Sequence, residues 1–263
     1  MGMLQDIWNY RGFILGSVTR DFQLKYRNSL LGAVWSVLTP LAMILVYTVI
    51  FSGVMKAQLP GVDNPFAYSI YLCAGILTWG LFSEIVSRSQ TVFLENANLL
   101  KKVSFPRICL PVAVVLNALL NFVIAFGLFT GFLILTGNFP GLSYLALIPL
   151  LILQIFFSIS LGVVVGILNV FFRDAGQLMA IVLQFWFWLT PIVYSRSILG
   201  ESAQHFIAFN PLADLVAAYQ GILVLNQFPD WISLTPLLLL SVALFMVSMR
   251  LFRRRASEMV DEL

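Results

Sequence analysis

The sequence predicts an all-α integral membrane protein with six transmembrane helices, an N-terminal amphipathic helix at the membrane interface and two short external helices between spans five and six. The amino-acid composition indicates that the chain is a membrane protein. Of 263 residues, 60% are hydrophobic and only 10% are charged, and the mean hydropathy is +0.94. Soluble domains are about half apolar and about a quarter charged. We expect one transmembrane domain spanning residues 1–263.

The spans are predicted from apolar runs, because a helix needs roughly 20 apolar residues to cross a bilayer. The fifth of the six runs is the shortest. Pro40 lies in the first run, where its missing amide hydrogen predicts a kink. The runs cover residues 30–54, 66–87, 108–136, 144–172, 178–194 and 231–252.

Basic residues predict the orientation in the membrane. If both termini are cytoplasmic, thirteen of the fifteen Lys and Arg residues lie inside and only Lys56 and Arg196 lie outside, as the positive-inside rule requires. This topology, together with anionic lipid, accounts for the net charge of +3, so nucleic-acid binding is excluded. The thirteen are Arg11, Arg20, Lys25, Arg27, Arg88, Lys101, Lys102, Arg107, Arg173, Arg250, Arg253, Arg254 and Arg255.

Two segments outside the spans are predicted to form surface helices. In residues 1–29, apolar side chains such as Ile7, Ile14 and Val18 recur at helical spacing opposite polar ones, which predicts an amphipathic helix in the membrane interface. In residues 195–230, the pair Asn210-Pro211 is a typical helix start. An apolar stripe follows it, and a weaker amphipathic piece precedes it, so two external helices are expected.

Polar side chains within the spans are expected to pair with one another. Glu84 and Arg88 are four residues apart, which predicts an ion pair on one helix face. Asn117 and Asn121 share one face of the third span. They are expected to form hydrogen bonds to other helices, the alternative being that they line a wet path.

A series of small residues in the fourth span predicts close helix packing. Ser158, Gly162 and Gly166 follow one another at intervals of four residues, and small side chains on one face let a second helix approach. Cys73 and Cys109 fall toward opposite ends of neighbouring spans, so no disulfide is expected between them.

The sequence offers no candidate catalytic residue and no metal site. The single histidine, His205, has no Ser or Cys beside it in a recognisable arrangement. No phosphate-binding loop of the G-x-x-x-x-G-K-[ST] type occurs, so the chain is not expected to hydrolyse ATP alone. Glu84 is the only acid inside a span and lies near its end, which disfavours ion-coupled transport.

The joint between spans two and three, residues 95–107, combines apolar and basic residues. A surface helix exposing Leu99, Leu100, Val103 and Phe105 fits a groove on another protein. The alternative, a basic loop that obeys the positive-inside rule, accounts for the Lys and Arg residues but not for the apolar ones. We therefore interpret the segment as a docking element.

Five stretches of the chain together resemble one transporter family. They are LKYRNSLLGAVWSVLTP at 24–40, NLLKKVSFPR at 98–107, LNVFFRD at 168–174, LTPIVY at 189–194 and FNPL at 209–212. In this order they resemble the ABC-2 type permeases that export bacterial surface polysaccharides. The resemblance is closest to the O-antigen exporter permeases of the Wzm group, with capsule and teichoic-acid exporter permeases as near relatives.

The resemblance implies a homodimer bound to two copies of a separate ATP-binding subunit. That subunit would bind ATP and Mg, and this chain would carry no cofactor. The implied substrate is an undecaprenyl-diphosphate-linked polysaccharide, moved across the bacterial cytoplasmic (inner) membrane to the periplasm.

The resemblance also implies roles for individual residues. Arg173 and Asp174 would mark a joint facing the ATPase. The ATPase-coupling residues would be Asn98, Leu99, Leu100, Lys101, Lys102, Val103, Ser104, Phe105 and Arg107. The lipid pyrophosphate would approach Lys25, Arg27, Leu31 and Gly32. The external gate would include Phe209, Asn210, Pro211 and Tyr219.

A polysaccharide needs a hydrogen-bonding path, because burying an unpaired hydroxyl costs roughly 2 to 7 kcal/mol. Two copies face to face can enclose such a path. Aromatic rings suit its wall, since they stack on the C–H faces of sugars. For each ring the alternative is the interfacial aromatic belt. The candidates are Trp35, Tyr47, Tyr71, Trp79, Phe185, Trp186, Phe187, Trp188 and Tyr194.

Two alternative functions stay open on the sequence. One is an integral-membrane glycan polymerase or ligase that uses the same lipid carrier, although the external segment lacks a recognisable catalytic arrangement. The other is an ABC-2 exporter of another lipid-linked glycan, a lipid or a drug, because these permeases share a topology across substrates.

Overall fold

The computed structural model describes residues 3–27, 31–57, 59–101, 106–255 and 258–262. Over these residues it is helical and has no strand, in agreement with the predicted all-α class. The helices are α1 (Met3–Asn9), α2 (Arg11–Tyr26), α3 (Trp35–Tyr47), α4 (Ala67–Glu95), α5 (Ala97–Leu100), α6 (Cys109–Leu135), α7 (Leu147–Phe171), α8 (Asp174–Leu189), α9 (Glu201–Ala208), α10 (Pro211–Leu225), α11 (Thr235–Arg255) and α12 (Glu258–Glu262).

Five helical segments in the described part of the chain are long and apolar enough to cross a membrane. They fall on predicted spans one to four and six. The helix of span one continues through Pro40 and widens into a π-helix over Thr48–Val54. The five are Gly32–Val54, Ala67–Glu95, Cys109–Leu135, Gly141–Phe171 and Thr235–Arg255.

The fifth predicted span, 178–194, corresponds to α8, which has only 16 residues. The helix ends at Leu189 because Thr190 precedes Pro191 and takes an extended conformation, with φ −103° and ψ 132°. The apolar run therefore continues beyond the helix as a non-helical segment. The six-span arrangement stays a prediction.

Helix α4 lies at the centre of the fold, where it packs against α3, α6, α7, α8 and α10. The small-residue series of α7 makes the closest of these contacts, as predicted. A methyl group added at Gly162 would lie 2.6 Å from Cβ of Ser89 on α4, and one added at Gly166 would meet the backbone oxygen of Ser89. Because no side chain separates the two backbones, α4 and α7 form a tightly packed pair.

An apolar cluster fills the end of the helix bundle where α4 and α7 end. It joins Val92, Phe93, Leu100, Leu110 and Met259. Arginines at the ends of these elements, such as Arg107 and Arg253, lie nearby in the chain. We call this end the basic end. It brings together the end of α4, the start of α6 and the C-terminal α12.

Candidate functional site

The polar side chains predicted to pair within the spans form two groups on α6, one at Asn121 and one at Asn117. Nε of Arg88 lies 3.1 Å from Oε1 of Glu84, and Nδ2 of Asn121 donates to the same oxygen at 2.7 Å. One turn earlier on α6, Nδ2 of Asn117 donates to Oδ2 of Asp21 at 3.0 Å. The predicted ion pair and the predicted bonding role of both asparagines are confirmed. These bonds tie α4 and α2 to α6.

Glu84 and Asn121 form part of the wall of a cleft between α3, α4 and α6. The cleft has a volume of about 530 Å³, and most of its lining is apolar. Trp35, the first residue of α3, lies at this cleft with 47% of its surface exposed. The cleft therefore combines an aromatic ring, a carboxylate and an amide in one concave surface.

The residues predicted to meet the lipid pyrophosphate immediately precede this cleft in the chain. Arg27 is exposed just after α2, and Leu31 is exposed before α3. Gly32 has a φ of +51°, a conformation that glycine adopts at least cost. The side chain of Lys25 and the whole of residues 28–30 lie outside the described part of the structure.

The predicted docking element is only partly described. Helix α5 covers Ala97–Leu100, and Asn98 and Lys101 are exposed. Leu100, however, is 3% exposed and belongs to the apolar cluster at the basic end, so the prediction that it is exposed is wrong. It fills the space between the end of α4 and the start of α6. Leu99 and Arg107 are half-buried. Lys102, Val103, Ser104 and Phe105 lie outside the described residues.

The aromatic channel candidates divide into a core group and an exposed group. Trp79 is buried and packs edge-on against Trp186, with ring centroids 6.5 Å apart. The Tyr71 hydroxyl shares its one proton between two carbonyl oxygens, that of Pro191 at 3.1 Å and that of Tyr194 at 2.9 Å. By contrast Phe185 is 66% and Trp188 60% exposed. Tyr47, Phe187 and Tyr194 are half-buried. In the single subunit, Trp35, Phe185 and Trp188 are thus the candidates that present most ring surface outward.

The segment predicted as the external gate folds into α9 and α10, which begins at Pro211 with Asn210 as its N-cap. Oδ1 of Asn210 accepts from the backbone nitrogen of Leu212 at 3.1 Å and from Nε1 of Trp186 at 2.8 Å. Nδ2 of Asn210 donates to Oγ1 of Thr190 at 2.9 Å. One side chain therefore caps α10 and fastens its start to the end of α8.

The other two gate candidates differ in their surroundings. Phe209 is almost fully exposed. Tyr219 lies on the buried face of α10 and is 1% exposed, and its hydroxyl has no hydrogen-bond partner among the described residues. Burial raises the pKa of the Tyr219 phenol, so the group stays neutral at physiological pH. Tyr219 packs in the core and presents no surface to a passing ligand in this conformation.

Asn169 is a structural residue that the sequence analysis missed. Its Nδ2 donates to the backbone oxygen of Gln90 at 2.7 Å, and its Oδ1 accepts from the backbone nitrogen of Gly176 at 3.0 Å. Asn169 thus connects α4, α7 and α8 beside the Arg173–Asp174 joint. An amide at the end of an apolar run, followed by a glycine seven residues later, is the signal in the sequence.

The described residues hold no group of three or more His, Cys, Asp or Glu side chains placed to bind a metal ion. His205 is exposed on α9. Cys73 and Cys109 are both buried. The polar side chains described above form hydrogen-bonded pairs between helices, cap α10, or line one wall of the cleft.

Comparison with known proteins identifies the family. The ABC-2 type transporter family matches residues 14–224. An O-antigen export system permease protein, RfbA, from Myxococcus xanthus is 32% identical over 99% of both chains. A protein of the same name from Klebsiella pneumoniae is 29% identical over 89% of this chain and 88% of its own length. The polysialic acid transport protein KpsM of Escherichia coli is more distant, at 21% identity over 92% of both chains.

The match covers the whole lining of the cleft, the polar groups and helices α3 to α9, and it ends in the last turn of α10. With its apolar helices, the protein is a multi-pass membrane protein and a transport permease. The chain belongs to the ABC-2 type transporter family.

Proposed function

We propose that the chain is the permease subunit of an ABC exporter that moves an undecaprenyl-diphosphate-linked, O-antigen-type polysaccharide from the cytoplasm to the periplasm. ATP would be hydrolysed by a separate subunit, in two copies. The observation that carries the proposal is the similarity, over 99% of both chains, to a protein named as an O-antigen export system permease.

The surface of the subunit supports a homodimer. Helices α3 and α8 both pack on α4, yet most of their apolar side chains face outward. Two copies that face each other through these helices would enclose a passage between them, the usual symmetric solution. The exposed rings Trp35, Phe185 and Trp188 would then form part of its wall. The apolar side chains exposed on α3 and α8 include Leu41, Leu45, Leu178, Ile181 and Val182.

The proposed topology has six spans, with both termini in the cytoplasm of a bacterial cell. As a helix, α8 is about 24 Å long, against a hydrocarbon core of roughly 30 Å. Residues 190–194 can supply the remaining distance in a non-helical conformation. In this arrangement the basic end faces the cytoplasm, and α9 and α10 lie at the periplasmic side, where α10 would gate the exit.

The proposed energy transfer runs through the basic end. The segment 95–107 would bind the ATPase, and its residues Asn98 and Lys101 are exposed. Leu100 anchors this segment to the cluster that contains Val92, Phe93 and Leu110. A movement of the docked ATPase would therefore reach α4 and α6 directly. Arg27 and Gly32 would receive the pyrophosphate where α2 ends and α3 begins.

The test is to tag the chain, purify it from its native host in mild detergent, and identify the proteins that accompany it. We expect a stoichiometric ATP-binding subunit whose ATP hydrolysis rises when lipid-linked glycan is added. Glycan transfer by the purified chain without ATP would instead support a polymerase or ligase. Stimulation by an unrelated lipid or drug, but not by lipid-linked glycan, would identify an exporter of another substrate class.

A further inference from the structure

The cleft between α3, α4 and α6 has the carboxylate of Glu84, the partner of Arg88, on its wall inside a membrane-spanning helix bundle. Asn121 follows the first residue of α6 by twelve residues, so it lies about 18 Å along that helix. Ionised groups at such positions are costly unless they have partners or face a polar ligand or water. Glu84 and Arg88 pair with each other, yet their side chains stay 27% and 37% exposed.

The polar wall of this cleft has hydrogen-bonding positions that no described residue occupies. Arg88 and Asn121 both contact Oε1 of Glu84, and no described residue donates to Oε2. A carboxylate accepts at about four lone-pair positions. Asn121 uses its Nδ2 toward Glu84 and keeps its Oδ1 as a second acceptor, and the hydroxyl of Thr39, which also lines the cleft, can donate to a ligand. The wall thus offers both acceptors and a donor, and the neighbouring Arg88 neutralises its one charged group.

The charge and hydrogen-bonding groups of the cleft wall distinguish among three parts of a lipid-linked glycan: the diphosphate, the hydrocarbon chain and a neutral sugar. A diphosphate is disfavoured, because Glu84 would repel it and Arg88 is already neutralised. A hydrocarbon chain would leave the polar wall unpaired, which is costly. A neutral sugar can donate to Oε2 of Glu84 and to Oδ1 of Asn121, and its C–H face can stack on the exposed ring of Trp35.

We propose that this cleft is a binding site for a neutral sugar of the lipid-linked glycan, held by Glu84, Asn121 and Trp35. The inference rests on the proposed function and adds a subsite to it. Trp35 follows Gly32 by three residues, so the cleft lies directly beyond the residues proposed to meet the pyrophosphate. The sugar that it holds is therefore one close to the diphosphate linkage.

The experiment compares two lipids on the permease–ATPase complex in nanodiscs: undecaprenyl diphosphate carrying the glycan, and undecaprenyl diphosphate without sugar. The readout is the lipid concentration that gives half-maximal stimulation of ATP hydrolysis. For Glu84→Gln we expect this concentration to rise about tenfold for the glycosylated lipid, the loss of one charge-assisted hydrogen bond, and to stay unchanged for the sugar-free lipid. Ser83→Ala, a neighbouring position that does not line the cleft, is the matched control and should change neither value.

A second pair of variants does not depend on the ion pair. Trp35 is 47% exposed, so its replacement should leave folding intact. Trp35→Ala should weaken the response to the glycosylated lipid alone, and Trp35→Phe should restore most of it. Equal shifts for both lipids in the Glu84 and Trp35 variants, or no shift for either, would overturn the sugar subsite. A wild-type complex that responds to neither lipid would contradict the proposed function, and the subsite with it.

Discussion

The indole nitrogen of Trp186 donates to Oδ1 of Asn210 at 2.8 Å, which connects the end of α8 to the first turn of α10. The same oxygen caps α10 by accepting from the backbone nitrogen of Leu212, and the amide nitrogen of Asn210 donates to Thr190. Helix α10 is therefore fixed to α8 by one side chain. Any movement that opens a gate formed by α10 must either break these bonds or carry the end of α8 with it.

Replacing Asn210 separates its capping role from its connecting role. Asn210→Ala should destabilise the protein by about 1 to 2 kcal/mol, because it removes an N-cap and the acceptor for Trp186. Asn210→Asp keeps the oxygen acceptors and loses only the donor to Thr190 and Leu189. We expect Asp to lower the melting temperature in detergent less than Ala does. Equal losses for Ala and Asp would show that the amide donor, rather than the cap, stabilises this junction.

Gly162 is predicted to be intolerant of even a methyl group. In Gly162→Ala the new Cβ would lie 2.6 Å from Cβ of Ser89, and overpacking of this kind costs about 1 to 3 kcal/mol. Gly131→Ala on α6 is the control, because a Cβ there meets nothing within 4 Å, and Ala favours the helix. Thermal unfolding should show a lower melting temperature for the first variant only. If the two variants melt alike, the close contact of α7 with α4 does not limit stability.

Two buried tyrosines are predicted to respond differently to loss of the hydroxyl. Tyr219→Phe removes a hydroxyl that has no hydrogen-bond partner in the described structure, so stability should be unchanged or slightly higher. Tyr71→Phe removes the single hydroxyl proton that the carbonyl oxygens of Pro191 and Tyr194 accept, at about 0.5 to 1.5 kcal/mol. Melting temperatures of the two variants should therefore separate. A destabilised Tyr219→Phe would indicate a partner for this hydroxyl that the subunit alone does not supply.

The docking segment yields a test in which two apolar residues behave differently. Leu100→Asp would place a charge in the cluster at the basic end, so it should impair folding and lower the yield of membrane-inserted protein. Phe105→Asp is expected to leave insertion intact and to release the ATPase. Quantifying inserted permease and co-purified ATPase for each variant separates the two effects. Normal export with Phe105→Asp would remove Phe105 from the docking surface.

Features set by local chemistry were predictable from the sequence. The Glu84–Arg88 spacing, the small series at Gly162 and the Asn210-Pro211 helix start each depend on neighbours within one or two helical turns. Burial of Leu100 was not predictable, because it depends on α12 and on the start of α6, which are distant in the chain. For the same reason the pattern of aromatic residues did not distinguish Trp79, in the core, from the exposed Trp188.

The cleft likewise arises from tertiary packing. The ion pair on α4 was predictable, and so was a bonding role for Asn121. That Glu84 and Asn121 would line one cleft with Trp35 follows from the way α3 lies against α4 and α6, and no local pattern encodes that arrangement.

The most direct test of the central claim is a transport assay in proteoliposomes that contain this permease and its co-purified ATPase. Lipid-linked glycan is placed in the leaflet that faces the ATPase, and its arrival on the opposite side is followed with a glycan-degrading enzyme confined there. We predict that ATP, but not a non-hydrolysable analogue, makes the glycan accessible to that enzyme. ATP hydrolysis without any gain in accessibility, in vesicles shown to be intact, would contradict the account.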